Sequence, residues 1–566
     1  MSRNEQTQRL DSTTKQALET GRTRLLVTGA VFLLAFSAIS VRLADITVLQ
    51  QVHEPRISQA AKPGAASTMR ADIVDRNGEL LATSLATASL YANPKHVINA
   101  DEAAGKLVAV LPELSQAELH AKLASNRSFV WIRRHLTPRQ QYDVNRLGIP
   151  GVYFKPDERR VYPQGPLVAH VVGFTNIDGD GLAGIERSFD EVLKGGGRSL
   201  ALSVDIRVQH VLRQELLTTV KRFGAIGAAG IVLDVESGEV VAMVSLPDFD
   251  PHNPTSLDQQ TLFNRATLGA YEQGSMFKIF TSAMALDSGA ATMTSSFDAS
   301  KPIKIARFTI SDYRGQNRWL SLPEVMIYSS NIGAAKMALA AGTAVQRKYL
   351  GALGMLRPAV IELPEVGAPM VPSPWREINT MTIGFGHGLA VSPLQMIGGV
   401  AAVVNGGVLR PLTLLKRVSG EKPEGTRVVS QQTSNDLRKL MRAVVVEGSG
   451  KNANIPGYLV GGKTGTAEKI SEHGGYKRKA LLSSFIGVFP MNQPRYVILA
   501  SIDEPHGIKE SFGFATGGWT AAPAVGRVIS RVAPILGVSP VNDADGLITA
   551  KLTINNPARG RAVASQ

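Results

Sequence analysis

Hydrophobic and polar positions change period several times along the chain. Leu25 to Val41 is a run of 17 mostly apolar residues without a charge. A spanning helix takes about 20 residues. Leu43 and Ala44 complete that length if Arg42 snorkels to the interface, so a membrane helix is predicted over 25–44. Ile73 to Ala82 then alternates around Asn77-Gly78, which predicts strand, tight turn and strand. Asp101 to Val110 and Ser115 to Leu123 carry helical spacing, with Pro112 between them. A turn-rich stretch, Arg160 to Gly165, leads into Val168 to Phe174. Three consecutive glycines within Lys194 to Arg198 mark a domain boundary.

The second half opens on a helical pattern, Val208 to Phe223. Ala228 to Val235 and Val240 to Ser245 read as two strands joined through Glu236-Ser237-Gly238-Glu239, a hairpin. Ile279 to Leu286 reads as a buried helix ending at Gly289. Several helices follow to about residue 445. Strands return at Ser483 to Phe489 and Tyr496 to Ile502, and a closing helix spans Pro523 to Ile535. Strands first, helices in the middle and strands last predict one sheet assembled from both ends of an α+β domain. Residues 538–566 are polar and are predicted to be a disordered tail. No internal repeat is visible.

Composition changes this picture in two places. The chain of 566 residues has 44% hydrophobic and 19% charged residues, an ordinary folded balance. It has no cysteine, which excludes disulfides, cysteine-ligated zinc and thiol catalysis. The formal net charge of +14 favours acidic polymers, but no Lys/Arg run with interleaved aromatics supports nucleic-acid binding. Arg3, Arg9, Lys15, Arg22 and Arg24 precede the apolar run. They predict a cytoplasmic tail over 1–24 and place everything after the run outside the cytoplasm. The competing reading is a cleaved signal peptide, with Ala38-Ile39-Ser40 as its small-x-small site. The long lead-in and long apolar core favour a retained anchor.

Three motifs carry chemistry. Gly274-Ser275-Met276-Phe277-Lys278 places a serine and a lysine three apart at the start of the buried helix. Positions i and i+3 share a helix face, so the lysine nitrogen can reach the serine oxygen. Free N–H groups at the helix start add partial positive charge. Ser329-Ser330-Asn331 starts an alanine-rich helix and offers a hydroxyl and an amide. Lys463-Thr464-Gly465-Thr466 follows Gly461-Gly462; extended, it offers a lysine and two hydroxyls for a carboxylate, and Gly465 would let a ligand backbone approach. Each motif alone is more often a cap or a turn. Together, in this order, they form the set used by serine acyl-transfer enzymes that react with penicillin.

One stretch imitates a different chemistry. Gly457 to Thr464 fits the phosphate-loop pattern at every fixed position. Such a loop must follow a buried strand and open a helix. Asn452-Ala453-Asn454-Ile455-Pro456 is no strand, and Gly474-Gly475 soon follows. The ten histidines show no metal-binding pair.

With those residues, the chain resembles the class B penicillin-binding proteins, peptidoglycan D,D-transpeptidases. The resemblance extends to Arg70–Ala82, to Arg160, Tyr162, Pro163, Gly165, Ala169, His170 and Gly173, to Gly181, Gly184 and Glu186, and to Gly384–Met396 and Gly517–Pro523. It implies a non-catalytic pedestal over 45–199 and a penicillin-binding transpeptidase domain over 200–537, with a central antiparallel sheet flanked by helices. Gly173-Phe174-Thr175-Asn176 and the single anchor resemble the septal, cell-division type; the elongation type and a catalytically weak penicillin-binding sensor or scaffold are the alternatives. Ala71, Gln273 and Met276 depart from the family's usual residues, and a pedestal hairpin after Lys194 is expected to be missing. His387 also departs and is read as a packed or surface residue.

The resemblance implies these roles. Lys278, kept neutral by burial and by the Lys463 charge, takes the proton of Ser275, which attacks the penultimate D-Ala carbonyl of a stem pentapeptide. The backbone N–H groups of Ser275 and Thr466 form the oxyanion hole. Ser329 relays the proton to the leaving D-Ala, Asn331 holds the stem amide, and Thr464, Gly465 and Thr466 bind the terminal carboxylate. A neighbouring amine then resolves the acyl-enzyme. β-Lactams would acylate Ser275. No metal or cofactor is implied. The expected partners are stem peptides, the lipid-linked precursor, a SEDS-type glycosyltransferase and other division proteins at the bacterial inner membrane.

Overall fold

The segment that presents the first motif is held by a sheet drawn from both ends of its domain. The computed structural model describes residues 26, 29–30, 32–40, 69–253, 258–305, 308–470, 475–542, 545–546 and 550–554. Of the predicted membrane span, the described residues 26, 29–30 and 32–40 are helical, and the rest lies outside the described residues. No helix among the described residues is long and apolar enough to cross a membrane.

From Thr68 onward the chain is a single unit. It begins with β1 (Ile73–Val74) and β2 (Leu80–Ala92), turned at Gly78, whose φ of 92° suits glycine. The Asp75 carboxylate closes the turn by accepting from the N–H groups of Asn77 and Glu79. Helices α1 (Ala100–Val110) and α2 (Gln116–Leu123) are N-capped by Asn99 and Ser115. Strands β3 (Val130–Leu136) and β4 (Val152–Val161) both pair antiparallel with β2, and β5 (Leu200–Ala201) pairs parallel with β1. Several family-resemblance residues meet in one ion cluster beneath this sheet. Arg70 Nε and Arg160 Nε each lie 2.7 Å from a different oxygen of the fully buried Glu186. Their role is architectural: a carboxylate held by two guanidiniums offsets the cost of burying all three.

Helix α3 (Ile206–Phe223) follows, capped by Asp205 and ended by Gly224 in the left-handed region. Strands β6 (Gly227–Asp234) and β7 (Val240–Leu246) form the predicted hairpin. Helix α4 (Lys278–Asp287) continues directly from the turn Gly274–Phe277. Helices α5 (Asn331–Ala341), α6 (Pro393–Val404) and α7 (Gln431–Glu447) form the helical middle. Strands β8 (Gly461–Ile470), β9 (Tyr476–Phe489) and β10 (Tyr496–Asp503) return to the sheet, and α8 (Ala521–Ile535) closes the domain. The sheet order is β8-β9-β10-β6-β7, antiparallel throughout. This is the α+β arrangement predicted from the element order.

Both sheet faces are covered, so the strands read as continuous apolar runs. Period two still sorts them. Phe485, Ile498 and Val232 pack with α3 and α8, through Leu212, Val525 and Ile529. Ile486, Leu499 and Ile231 face α4 and α6, through Phe280 and Ile397. That second core also holds Ile73, Leu81 and Val172, so one apolar cluster runs across the expected boundary near residue 200.

Described residues after 537 pack on the domain, where a disordered tail was expected. Val538 is buried, Val541 N–H donates to the Gly457 carbonyl at 2.8 Å, and Leu552 is buried in the main core. These apolar side chains find grooves on the domain, which a tally of polar residues could not register. Residues 555–566 lie outside the described residues.

Candidate active site

Ser275 lies in a single 3-10 turn that fuses to α4. The turn starts at Gly274, with φ of 55°. A Cβ there would sit 2.7 Å from the Thr466 carbonyl oxygen and 3.1 Å from the Thr466 nitrogen. Only glycine therefore lets the turn lie flat against β8. Gly465 makes the reciprocal approach: its Cβ would meet the Gln273 carbonyl oxygen at 2.5 Å. The chain's own backbone thus requires a glycine at 465. Met276 and Gln273, the unusual residues around Ser275, are both buried in this contact region.

Lys278 is 1% exposed. Its Nζ lies 2.8 Å from Ser275 Oγ, 2.8 Å from the Ser329 carbonyl oxygen, 2.7 Å from Asn331 Oδ1 and 3.2 Å from Ser329 Oγ. Burial, then the nearby Lys463 charge, hold its pKa well below the usual lysine value. A neutral amine has two N–H donors and one lone pair. The carbonyl of Ser329 and Oδ1 of Asn331 can only accept, so they take the two donors. The lone pair is left for a hydroxyl to donate into, and Ser275 Oγ at 2.8 Å is nearer than Ser329 Oγ at 3.2 Å. The Asn331 amide orientation is fixed by its Nδ2, which donates to the Ser311 carbonyl at 3.1 Å.

Ser329 Oγ has a second partner. Lys463, fully buried at the centre of the site, donates to it at 2.9 Å. Burial pushes the Lys463 pKa down to about 7. Ser329 adopts φ of 59°, a left-handed conformation that costs a non-glycine residue about 1–2 kcal/mol. It is held there by the helix that follows. Ser330 caps α5 by accepting from Gly333 N–H, and Asp312 accepts from Ser330 Oγ at 2.7 Å and from the N–H groups of Asn331 and Ile332 at 2.5 and 3.0 Å.

The third motif lies in β8, the edge strand, which has a strand neighbour on one side only. Thr464 Oγ1 and Ser449 Oγ share a hydrogen bond of 2.7 Å. Thr466 Oγ1 donates to the Gly465 carbonyl at 2.8 Å and accepts from Gly517 N–H at 3.1 Å. Lys463 inside a strand removes the phosphate-loop reading: the pattern Gly457–Thr464 opens a strand, not a helix.

All of the predicted residues, Ser275, Lys278, Ser329, Asn331, Lys463, Thr464, Gly465 and Thr466, therefore come together. Two neighbours were not foreseen. Ser449 supports Thr464 from the end of α7. Asp312 caps a helix from 19 residues upstream in sequence, so no local capping pattern could announce it. A turn at 385–388 completes the surroundings. Gly386, with φ of 94°, accepts from Gly274 N–H at 3.2 Å, and its Cβ would lie 1.9 Å from the Gly274 carbonyl oxygen.

Comparison with known proteins agrees with this geometry. Residues 228–529 match the penicillin binding protein transpeptidase domain and residues 65–205 match the penicillin-binding protein dimerisation domain. The chain is 44% identical over 482 residues to the probable peptidoglycan D,D-transpeptidase FtsI of Caulobacter vibrioides, covering 83% of this chain and 82% of the relative. It is 30% identical over 508 residues to the peptidoglycan D,D-transpeptidase FtsI of Escherichia coli, covering 84% and 85%. Among solved structures, penicillin binding protein 3 of Mycobacterium tuberculosis complexed with ampicillin superimposes with a TM-score of 0.68 at 25% identity, covering 85% of this chain and 97% of that one. The chain belongs to the class B penicillin-binding proteins, with transpeptidase and dimerisation domains.

Proposed function

We propose that this member of the family is a septal peptidoglycan D,D-transpeptidase that works through a Ser275 acyl-enzyme. The observation that carries the reading is the convergence of Lys278 Nζ on Ser275 Oγ, the Ser329 carbonyl and Asn331 Oδ1. Lys278 takes the Ser275 proton as the hydroxyl attacks the penultimate D-Ala carbonyl of a stem peptide. Backbone N–H groups of Ser275 and Thr466 stabilise the developing oxyanion; one such donor is worth roughly 3 kcal/mol. Ser329, whose hydroxyl accepts from Lys463 and lies 3.2 Å from Lys278 Nζ, passes the proton to the departing D-Ala. The stem peptide lies along the edge of β8, with its carboxylate at Thr464 and Thr466 and its amide at Asn331. Lys463 supplies positive charge beside the carboxylate. A β-lactam acylates Ser275 in place of the donor.

The N-terminal apolar run serves as a single membrane anchor, with the 69–554 region on the outer side of the inner membrane. Support comes from the uncharged run, its basic lead-in and the helical state of its described residues. A SEDS-type glycosyltransferase is the expected membrane partner. The septal assignment rests on the FtsI relatives.

Purified protein incubated with fluorescent penicillin and, separately, with lipid-linked precursor tests the reading. Labelling that vanishes in Ser275→Ala, together with cross-linked product from the wild type, is the expected result. Labelling without cross-linking would instead make the chain a penicillin-binding sensor or scaffold. A fluorescent fusion on the side walls rather than at mid-cell would move it to elongation.

A further inference from the structure

The first sheet of the chain carries a surface that the chemistry above does not use. Along β2, β3 and β4, period two sends Leu90, Ala92, Val130, Ile132 and Phe154 into the core shared with α1 and α2. The residues between them, Tyr91, Trp131 and Tyr153, therefore share the other face. The strand register sets them in one row: Tyr91 lies opposite Trp131 on one side and opposite Tyr153 on the other. Phe129, just before β3, stacks on Tyr91 at 4.8 Å between centroids and meets Trp131 edge-on, also at 4.8 Å. Tyr153 lies 5.5 Å from Tyr91. Cross-strand rings stabilise a sheet, but that role does not require exposure. Phe129 remains 45% exposed and Tyr153 40% exposed, so the row presents ring surface to solvent.

The same face is cationic. In steps of two from Tyr153 along β4 come Lys155, Asp157 and Arg159. Lys155 and Arg159 are exposed, while Asp157 is engaged by Arg134 Nε at 2.7 Å. Lys155 Nζ lies 6.0 Å from the centre of the Trp131 ring, so positive charge stands at the level of the rings. Polar atoms border them as well: His96 Nδ1 is 3.1 Å from Tyr153 Oη. Contiguous exposed apolar surface rimmed by polar groups marks a binding site. An aliphatic groove would suit a helix, but this surface is made of rings with polar edges and flanking cations. A pyranose ring matches it. Its C–H face is attracted to the negative face of an aromatic ring, and its hydroxyl rim meets the polar edge. Carboxylates carried on the same polymer meet Lys155 and Arg159.

We propose that this face binds a glycan strand of peptidoglycan, the polymer whose stem peptides the active site joins. The choice of polymer rests on the transpeptidase reading; the affinity for sugar rings does not. The sugar rings stack on Phe129 and Tyr153, and stem-peptide carboxylates pair with Lys155 and Arg159. A strand held there is tethered to the unit that carries Ser275, which raises the concentration of its stem peptides around the catalytic cleft.

The test titrates the full chain in detergent by calorimetry, after treatment with penicillin so that the catalytic cleft is occupied. Two probes are used: a soluble N-acetylglucosamine oligomer, which offers rings alone, and glycan strands bearing stem peptides. Replacing both exposed rings, in Phe129→Ala/Tyr153→Ala, should weaken both probes about tenfold, and Tyr153→Trp, which keeps a ring, should stay within about threefold of wild type. Lys155→Ala/Arg159→Ala should weaken only the peptide-bearing strands, by about threefold at low salt and less at high salt. Fluorescent-penicillin labelling should be unchanged in every variant, which reports that each is folded. A wild type that binds neither probe overturns the proposal, as does undiminished binding in Phe129→Ala/Tyr153→Ala. Tighter binding of a single-stranded oligodeoxynucleotide than of either probe overturns it in favour of a nucleic acid. Dimers that dissociate in Phe129→Ala/Tyr153→Ala overturn it in favour of a second copy of the chain. A wild type that binds both probes but neither takes up penicillin nor cross-links lipid-linked precursor would overturn the transpeptidase reading and, with it, the choice of polymer.

Discussion

Lys278 Nζ stands 2.8 Å from Ser275 Oγ, nearer than the only other hydroxyl among its partners, Ser329 Oγ at 3.2 Å, while the Ser329 carbonyl and Asn331 Oδ1 can only accept. That arrangement leaves the serine hydroxyl as the donor to the lysine. Lys278→Ala should therefore fold and still present Ser275, but acylate at least roughly a hundredfold more slowly, the usual scale of a lost general base. Stopped-flow or gel-based penicillin labelling reads this. Near wild-type acylation would place the base elsewhere.

Two buried lysines make stability depend on pH with a definite sign. Lys463 titrates near 7 when folded and at the ordinary 10.5 when free. Lys278 is lowered as well. Between those values the unfolded chain binds more protons, so stability rises with pH from about 7 towards 10, by about 1.4 kcal/mol per pH unit for each lysine in its window. Above pH 10 the sign reverses. Tyr162, Tyr271 and Tyr476 are raised by burial, so they ionise first in the unfolded chain. Urea midpoints across this range should peak near pH 10, and Lys463→Met should flatten the rise. A flat wild-type profile from 7 to 10 would contradict the burial of both lysines.

Gly386 tests the site without touching a reactive group. A Cβ at this position would overlap the Gly274 carbonyl, and its φ of 94° is strained for any other residue. Gly386→Ala should push the 274–278 turn off β8. The expected result is loss of penicillin labelling by more than tenfold with far-ultraviolet circular dichroism retained; local strain of about 2–3 kcal/mol accounts for a change of that size. Full labelling would mean that the turn tolerates the displacement.

The order of elements and the three motifs were legible because each depends on local pattern. Phe485 and Ile486 alternate faces, Asn77-Gly78 turns, and Ser275 and Lys278 share a helical face, all within a few residues. The close approach of the Gln273 carbonyl to Gly465 was not legible, because the two are almost two hundred positions apart in sequence. The packing of the described residues after 537 was hidden for the same reason: Leu552 is buried only because a core built elsewhere in the sequence accepts it. His387 was visible as an oddity, but its packing against Tyr476, far away in sequence, was not. Long-range closure, rather than propensity, separates what was readable from what was not.

Asp312 carries the last expectation, since it binds the second motif without belonging to any. Its carboxylate accepts from Ser330 Oγ and from two N–H groups at the start of α5. It also places a negative charge near Lys278 that opposes the lowering of that lysine's pKa. Asp312→Ala removes a helix cap and should destabilise the protein by about 1–2 kcal/mol. Freed of the cap, Ser329 can leave its left-handed conformation, so acylation should slow even where the protein remains folded. Asp312→Asn keeps an acceptor oxygen but not the charge. It should recover most of the stability while leaving Lys278 more easily neutral, so acylation should extend to lower pH than in wild type. Penicillin acylation rates measured from pH 5 to 8 for the three proteins read both effects. An Asp312→Ala protein with unaltered stability and rate would show that Ser329 and Asn331 hold their places without it.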